Sequence, residues 1–237
     1  MLYLPNGESE SYEGYFKNLA EKYNVKFISL SNNLRNSSDY NTWTLSPQNG
    51  HLSRFGNKII ANSLNKSLTP YFTENNRNKI KPIKVKGGLI PNKNKLWNQV
   101  PKMVYRVKTN SYGFRNTEDI GSSPYAIFYG DSFTFGPYLP NHDTYPSILE
   151  SLIRSNKDPR LSNIQIFNAS IAGSTIFHEQ QILKQTSNLR PNLLVLQVLD
   201  NDIFGVSSAK MKSIYPVILD DKSVFEPIDE EISLYEL

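Results

Sequence analysis

The stretch AIFYGDSFTFG, residues 126–136, decides the fold. It opens on a short unbroken apolar run, Ala126 to Tyr129, which breaks at Gly130-Asp131-Ser132. An apolar run too short for a helix and bounded by turn residues reads as a strand buried on both faces. Two more such runs follow, in IQIFNAS (164–170) and NLLVLQVL (192–199). Between them, TYPSILESLIRS (144–155) and TIFHEQQILKQTSNL (175–189) read as helices. Strands alternating with helices predict right-handed crossovers and a mostly parallel sheet covered on both faces, an α/β fold.

The same reading extends to the other end of the chain. LYLP (2–5) and VKFISL (25–30) read as strands, and SESYEGYFKNLAEKY (9–23) as a helix between them, with Tyr12, Tyr15, Phe16, Leu19 and Tyr23 at helical spacing. A polar loop, PQNGHLSRFGN (47–57), carries His51 and runs into a second helix patterned by Ile59, Ile60 and Leu64. About five strands are therefore expected, in three parts: 1–68, a basic polar connector over 69–124, and 125–237. The connector is too long for an ordinary loop. It is expected to carry short strands, as in MVYRVKTN (103–110), and a turn at NSYGFRN (110–116). One further strand is expected near Ile214–Leu219.

Composition excludes several classes of chemistry. The chain has 237 residues and no cysteine, so disulfides, thiolate metal sites and cysteine nucleophiles are ruled out. No segment approaches the roughly 20 apolar residues that span a bilayer, and no secretion signal is visible. A cytoplasmic location would follow only if Met1 were the true start; the opening inside a strand points instead to a piece of a longer protein. Residues 77–108 hold ten Lys or Arg and no Asp or Glu. With no nucleic-acid reading motif, that stretch reads as a solvated connector, and no nucleic-acid partner is expected.

The chemistry concentrates at the carboxyl ends of the strands, where open α/β sheets place their ligands. Ser132 falls at the end of the first, Gly173 in the loop after the second and Asn201 after the third. A hydroxyl, a bare backbone N–H and a side-chain amide on one sheet edge form an inventory for acyl transfer: a nucleophile with donors for a developing oxyanion.

GDSFTFG, NASIAG and the Asn-Asp of LDNDI resemble the first three blocks of the SGNH/GDSL hydrolases, and VYRVKTNSYGFRN (104–116) resembles the segment that precedes the serine strand in one bacterial branch. The resemblance implies a flavodoxin-like α/β/α domain that cleaves carboxylic esters of lipids or acylated carbohydrates without a metal or organic cofactor. Ser132 would be the nucleophile, and the backbone of Ser132, the N–H of Gly173 and the side chain of Asn201 the oxyanion hole. NGHLSRFGNKIIANSL (49–64) resembles the family's last block, which makes His51 the base. The other two histidines, His142 and His178, read as loop and helix-start residues.

Two features depart from the family. Gln48 and Asn49 stand where an orienting aspartate is expected. Asn49 can accept from the imidazole and fix its tautomer, but it brings no negative charge; Asp39 is a conceivable substitute. The histidine block also precedes the serine block. Either the chain is a circularly permuted domain in which 1–68 and 125–237 complete one sheet, or it is cut from a tandem protein. Complementary parts would also allow two copies to exchange them as a homodimer. The reading is thus a serine acyl hydrolase. An O-acyltransferase acting on sugars, or a non-catalytic glycan-binding or structural module, stay open beside it.

Overall fold

The computed structural model describes residues 1–5, 12–37, 40–45, 49–73, 87–97, 104–200 and 202. Five parallel strands form the central sheet: β1 (Leu2–Tyr3), β2 (Ile28–Ser29), β7 (Tyr125–Tyr129), β8 (Gln165–Asn168) and β9 (Leu193–Val198), in the order β2-β1-β9-β7-β8. Counted from β7 onward and continued through β1 and β2, this order is the 2-1-3-4-5 of the flavodoxin-like sheet. Phe128 on β7 lies opposite Asn168 on β8 and Val195 on β9, and Leu2 pairs with Gln197. That last pairing joins the first and last described strands of the chain in one sheet.

The strand sequences explain the layering. Alternate residues of β7 point to opposite faces, and both sets are apolar. Ala126 and Phe128 face a core shared with α2 (Ser31–Ser37), α4 (Arg54–Leu68) and α7 (Tyr145–Arg154). Ile127 and Tyr129 face a second core with Phe114, Ile120 and Ile182 of α8 (Ile176–Thr186). On that second side, α1 (Glu13–Lys22) covers β1 and β9 through Phe16, against Tyr3 and Val198. The result is the expected three-layer α/β/α arrangement. Among the described residues, no helix is long and apolar enough to cross a membrane.

Helix α4 packs along α7, with Ile60, Ala61, Leu64 and Leu68 buried on one helical stripe and Tyr145, Leu149 and Ile153 on the other. Polar bonds pin the two together. The Asn57 side chain, fully buried, accepts from the Tyr145 N–H (2.8 Å), and Arg54 Nε donates to Asp143 Oδ1 (2.7 Å).

Three findings differ from the reading of the sequence. His51 stands on a strand, not in a loop. β3 (Thr44–Leu45) and β4 (Asn49–Leu52) pair antiparallel after the short helix α3 (Tyr40–Trp43), and α4 starts directly behind them with Ser53 as N-cap. Gly50 and the polar flanks hide that ribbon in the sequence. Secondly, the connector is not solvated throughout: the strand expected in 103–110 forms as β6 (Tyr105–Lys108) and makes a hairpin with β5 (Asn94–Trp97), while Tyr112, Phe114 and Ile120 join the second core. A four-residue helix, α5 (Pro70–Thr73), ends the histidine part. Thirdly, the turn after β7 is a single helical turn, α6 (Ser132–Phe135). The strand expected near Ile214–Leu219 lies outside the described residues, as do Asp39, Gln48 and Asn201.

Gly56 marks how closely α4 approaches this ribbon, because a Cβ there would run into the carbonyl oxygen of Trp43. In an exposed helix interior alanine is favoured over glycine by about 1 kcal/mol. Here backbone meets backbone and neither yields easily. Gly56→Ala is expected to destabilise the protein by about 1–3 kcal/mol, measured by urea unfolding; a stabilised variant would contradict this packing.

Candidate active site

Parallel strands β7, β8 and β9 end on one edge, with the serine strand in the middle. The crossover helices that leave β7 and β8, α7 and α8, cover opposite faces. The crevice between β7 and β9 is therefore the topological switch point of the sheet, where ligands bind in such folds. Ser132 opens α6 at that point and is half-buried. Its hydroxyl and its backbone N–H hydrogen bond to no described residue.

The turn is held from four sides. Asp131 caps α6, accepting from the Phe133 N–H at 2.9 Å. Gln197 Oε1, from β9, accepts from the Asp131 N–H (3.2 Å) and from Thr134 Oγ1 (2.8 Å). From β8, Asn168 Nδ2 donates to the Thr134 carbonyl (2.8 Å). Gly130 makes room for this, since a Cβ there would strike Gln197 and lie 2.6 Å from Thr134 Oγ1. Below the turn, the fully buried Arg115 donates to the carbonyls of Phe135, Gly136 (2.6 Å) and Leu139, and to Asn141 Oδ1 (3.2 Å).

Gly173 is exposed, with φ at +79°, a backbone conformation that favours glycine. Its turn is tied to the serine turn: the Ile171 N–H (3.3 Å) and Ser174 Oγ (3.2 Å) both donate to the Gly130 carbonyl. The Gly173 N–H bonds to no described residue. Asn201, expected to complete the set of donors, is outside the described residues, but its neighbour Asp202 is anchored to Leu199 at the end of β9.

His51 comes to the same edge from the other part of the chain. Its ring lies 5.7 Å from the ring of Phe133 and 5.9 Å from that of Tyr138, centroid to centroid. Asn49 Oδ1 accepts from the His51 backbone N–H at 2.9 Å and makes a short contact with Nδ1. With Nδ1 carrying the proton, Nε2 keeps its lone pair. Burial pushes the His51 pKa down to about 4, so the ring is neutral at ordinary pH. His51 and the residue after Ser132 are thus neighbours, and Asn49 is bonded to His51. A direct His51–Ser132 hydrogen bond is not formed in this state; such bonds are often long without substrate.

The remaining histidines stand elsewhere. His142 is exposed beside Asp143, and His178 is buried at the start of α8, where Nδ1 accepts from the Thr175 N–H (2.9 Å). A recess of about 440 Å³, lined among others by Arg106, Lys108, Glu150 and Ser151, contains none of the expected site residues.

Sequence reading missed Arg115, Tyr138 and a set of buried carboxylates. The resemblance of SYGFRN pointed at the first; nothing in the sequence marked the others. Asp131, which caps the serine turn, is buried together with Glu179 and Asp202; among the described residues none makes a hydrogen bond of ordinary geometry to either Glu179 oxygen or to Asp202 Oδ1, and Ser174 is the polar neighbour of Glu179. Among the described residues no group is arranged to hold a metal ion. Burial, then Asp202 and Asp131, push the Glu179 carboxyl well above the usual range. Burial, then Asp131 and Asp200, push Asp202 up to about 7.

No family model matches the chain, and no curated protein does. Among solved structures, the O-acetyltransferase domain of Pseudomonas putida AlgJ is similar, with a TM-score of 0.47 and 13% identity, over 84% of this chain and 74% of that one. A likeness that distant says nothing about the reaction.

The carboxylates have a thermodynamic consequence. The folded pKa values of Glu179 and Asp202 exceed the unfolded ones, so from about pH 4 to 7 these two groups make the native state bind more protons and lower stability as pH rises. The buried His51 and His178, both lowered to about 4, act in the opposite sense. Asp202→Asn should therefore gain stability over the parent at pH 7.5 and gain little at pH 4. Urea titrations at both pH values check this; an equal effect at both would remove the buried charge from the account.

Proposed function

We propose that the chain is a serine acyl hydrolase whose two parts complete one permuted SGNH-like domain. The observation that supports the reading is a serine at the switch point whose hydroxyl and N–H bond to no described residue, next to Phe133, whose ring lies 5.7 Å from that of a histidine with Nδ1 against an amide oxygen. Ser132 Oγ attacks the ester carbonyl and its proton passes to His51 Nε2. The negative charge moves to the carbonyl oxygen, where the N–H groups of Ser132 and Gly173, with the Asn201 side chain, receive it. Collapse expels the alcohol, which takes the proton back from His51. Water then repeats the sequence on the acyl-serine and releases the carboxylic acid. The substrate is an ester of a small molecule or glycan; if a sugar hydroxyl takes the place of water, the same groups perform O-acyl transfer.

A fluorophosphonate probe should label the protein, the label should vanish in Ser132→Ala and fall in His51→Ala, and p-nitrophenyl acetate should be turned over in parallel. A folded protein that is never labelled would sink the enzyme reading and leave the non-catalytic module. Acylated sugar appearing faster than free acid would assign the transferase instead.

The pH profile follows from the burial of His51. The acid limb of kcat/KM reports the base in the free enzyme, so it should fall near pH 4 rather than near the 6.5 of an ordinary histidine. An acid limb at 6.5 would mean that His51 is not the base or is solvated in the working state.

A further inference from the structure

We infer that Tyr138 is a positioning residue that holds the Asn49 amide in place against His51, so that a neutral side chain can do an aspartate's orienting work. The inference rests on the reading of His51 as the base. An aspartate needs no such help, because both of its oxygens accept and either edge can serve the imidazole. An asparagine has one accepting and one donating edge. Turned the wrong way, it would present its NH₂ to His51 Nδ1, move the ring proton to Nε2 and abolish the lone pair that takes the serine proton.

One contact opposes that turn, and a second holds the amide where the first can act. The His51 backbone N–H points at Asn49 Oδ1 (2.9 Å), and the opposite edge of the amide donates from Nδ2 to the Tyr138 hydroxyl (3.3 Å). The Tyr138 ring also stands edge-on to the imidazole, 5.9 Å away at 65°.

Tyr138 is itself held in an unusual place. Its φ is +65°, uncommon for a residue other than glycine and sustained only where the surroundings impose it. Arg115 grips the carbonyls of Phe135 and Gly136 on one side and Leu139 on the other. The Tyr138 backbone bonds to the Tyr105 phenol, and the two rings meet at 5.9 Å. A tyrosine fixed this firmly reaches across from the serine part to the histidine part.

The test is a double-mutant cycle read by two methods. Tyr138→Phe keeps the ring and removes only the hydroxyl. In the parent, kcat should drop by about three- to tenfold, the range for one neutral hydrogen bond, with KM little changed. In an Asn49→Asp background, the same change should be nearly silent, since a carboxylate needs no orienting partner. The imidazole ¹⁵N shifts of His51 give the tautomer without any turnover. They should show the Nδ1–H form in the parent, a rise of the Nε2–H form in Tyr138→Phe, and recovery of Nδ1–H in the double variant. Equal losses of kcat in both backgrounds, or a tautomer untouched by Tyr138→Phe, would overturn the role of Tyr138. If the protein turns nothing over, the tautomer populations still decide the inference, so its failure and that of the hydrolase reading remain distinguishable.

Discussion

The buried guanidinium of Arg115 is the constraint on which the rest of the site depends. No carboxylate among the described residues pairs with it, and burial lowers its pKa only to about 10, so it stays charged at neutral pH. Taking such a charge out of water costs several kcal/mol. The cost is offset by donating to three backbone carbonyls and one amide oxygen, each such charge-assisted bond contributing about 1.5–3 kcal/mol, and by the Phe135 ring 4.5 Å from the guanidinium carbon. All those acceptors belong to residues 135–141. The chain leaving the serine turn can satisfy Arg115 only by folding back around it, and this sets Tyr138 and the entry to α7.

The second constraint is the seam between the two parts of the chain. Residues far apart in sequence meet through a strand pair, β1 with β9, and a helix pair, α4 with α7, among other contacts. The apolar stripes of α4 and α7 pack against each other, but apolar packing alone is non-directional. Asn57 on the Tyr145 N–H and Arg54 on Asp143 give the seam its register, each placed within two turns of His51 or just ahead of α7. The histidine ribbon is thereby referred to the same loop that Arg115 fixes.

Much of this was legible in the sequence because burial on both faces leaves a coarse signature. The runs at 126–129, 164–167 and 193–199 could be little else than inner strands, and their order of ends brought Ser132 and Gly173 to one edge. His51 was legible through the helix behind it. What stayed hidden has physical causes. The ribbon of β3 and β4 is a few residues long and built around Gly50, so it has no alternation to read. Arg115 and Glu179 are charged residues at positions where charge predicts exposure; only the fold shows which carbonyls receive the first and how little faces the second among the described residues. The left-handed backbone of Tyr138 is imposed by its neighbours and has no sequence signal at a tyrosine.

The neutral amide at position 49 and the buried carboxylates act on one electrostatic balance. A carboxylate beside His51 would favour the imidazolium and raise the ring's pKa. Asn49 Oδ1 meets Nδ1 without bringing that charge, and burial keeps the ring neutral. Asp131, which caps the serine turn, and the Glu179 and Asp202 carboxyls that act on it crowd three potential negative charges beside the turn at which the proposed oxyanion would form. Ionising all three would oppose that oxyanion as surely as it opposes their own burial. The raised pKa values of Glu179 and Asp202 keep protons in the cluster through the acidic and neutral range. The same protonation that relieves the fold thus lowers the negative potential at the serine turn, so stability and any acyl chemistry at Ser132 should weaken together as the cluster ionises.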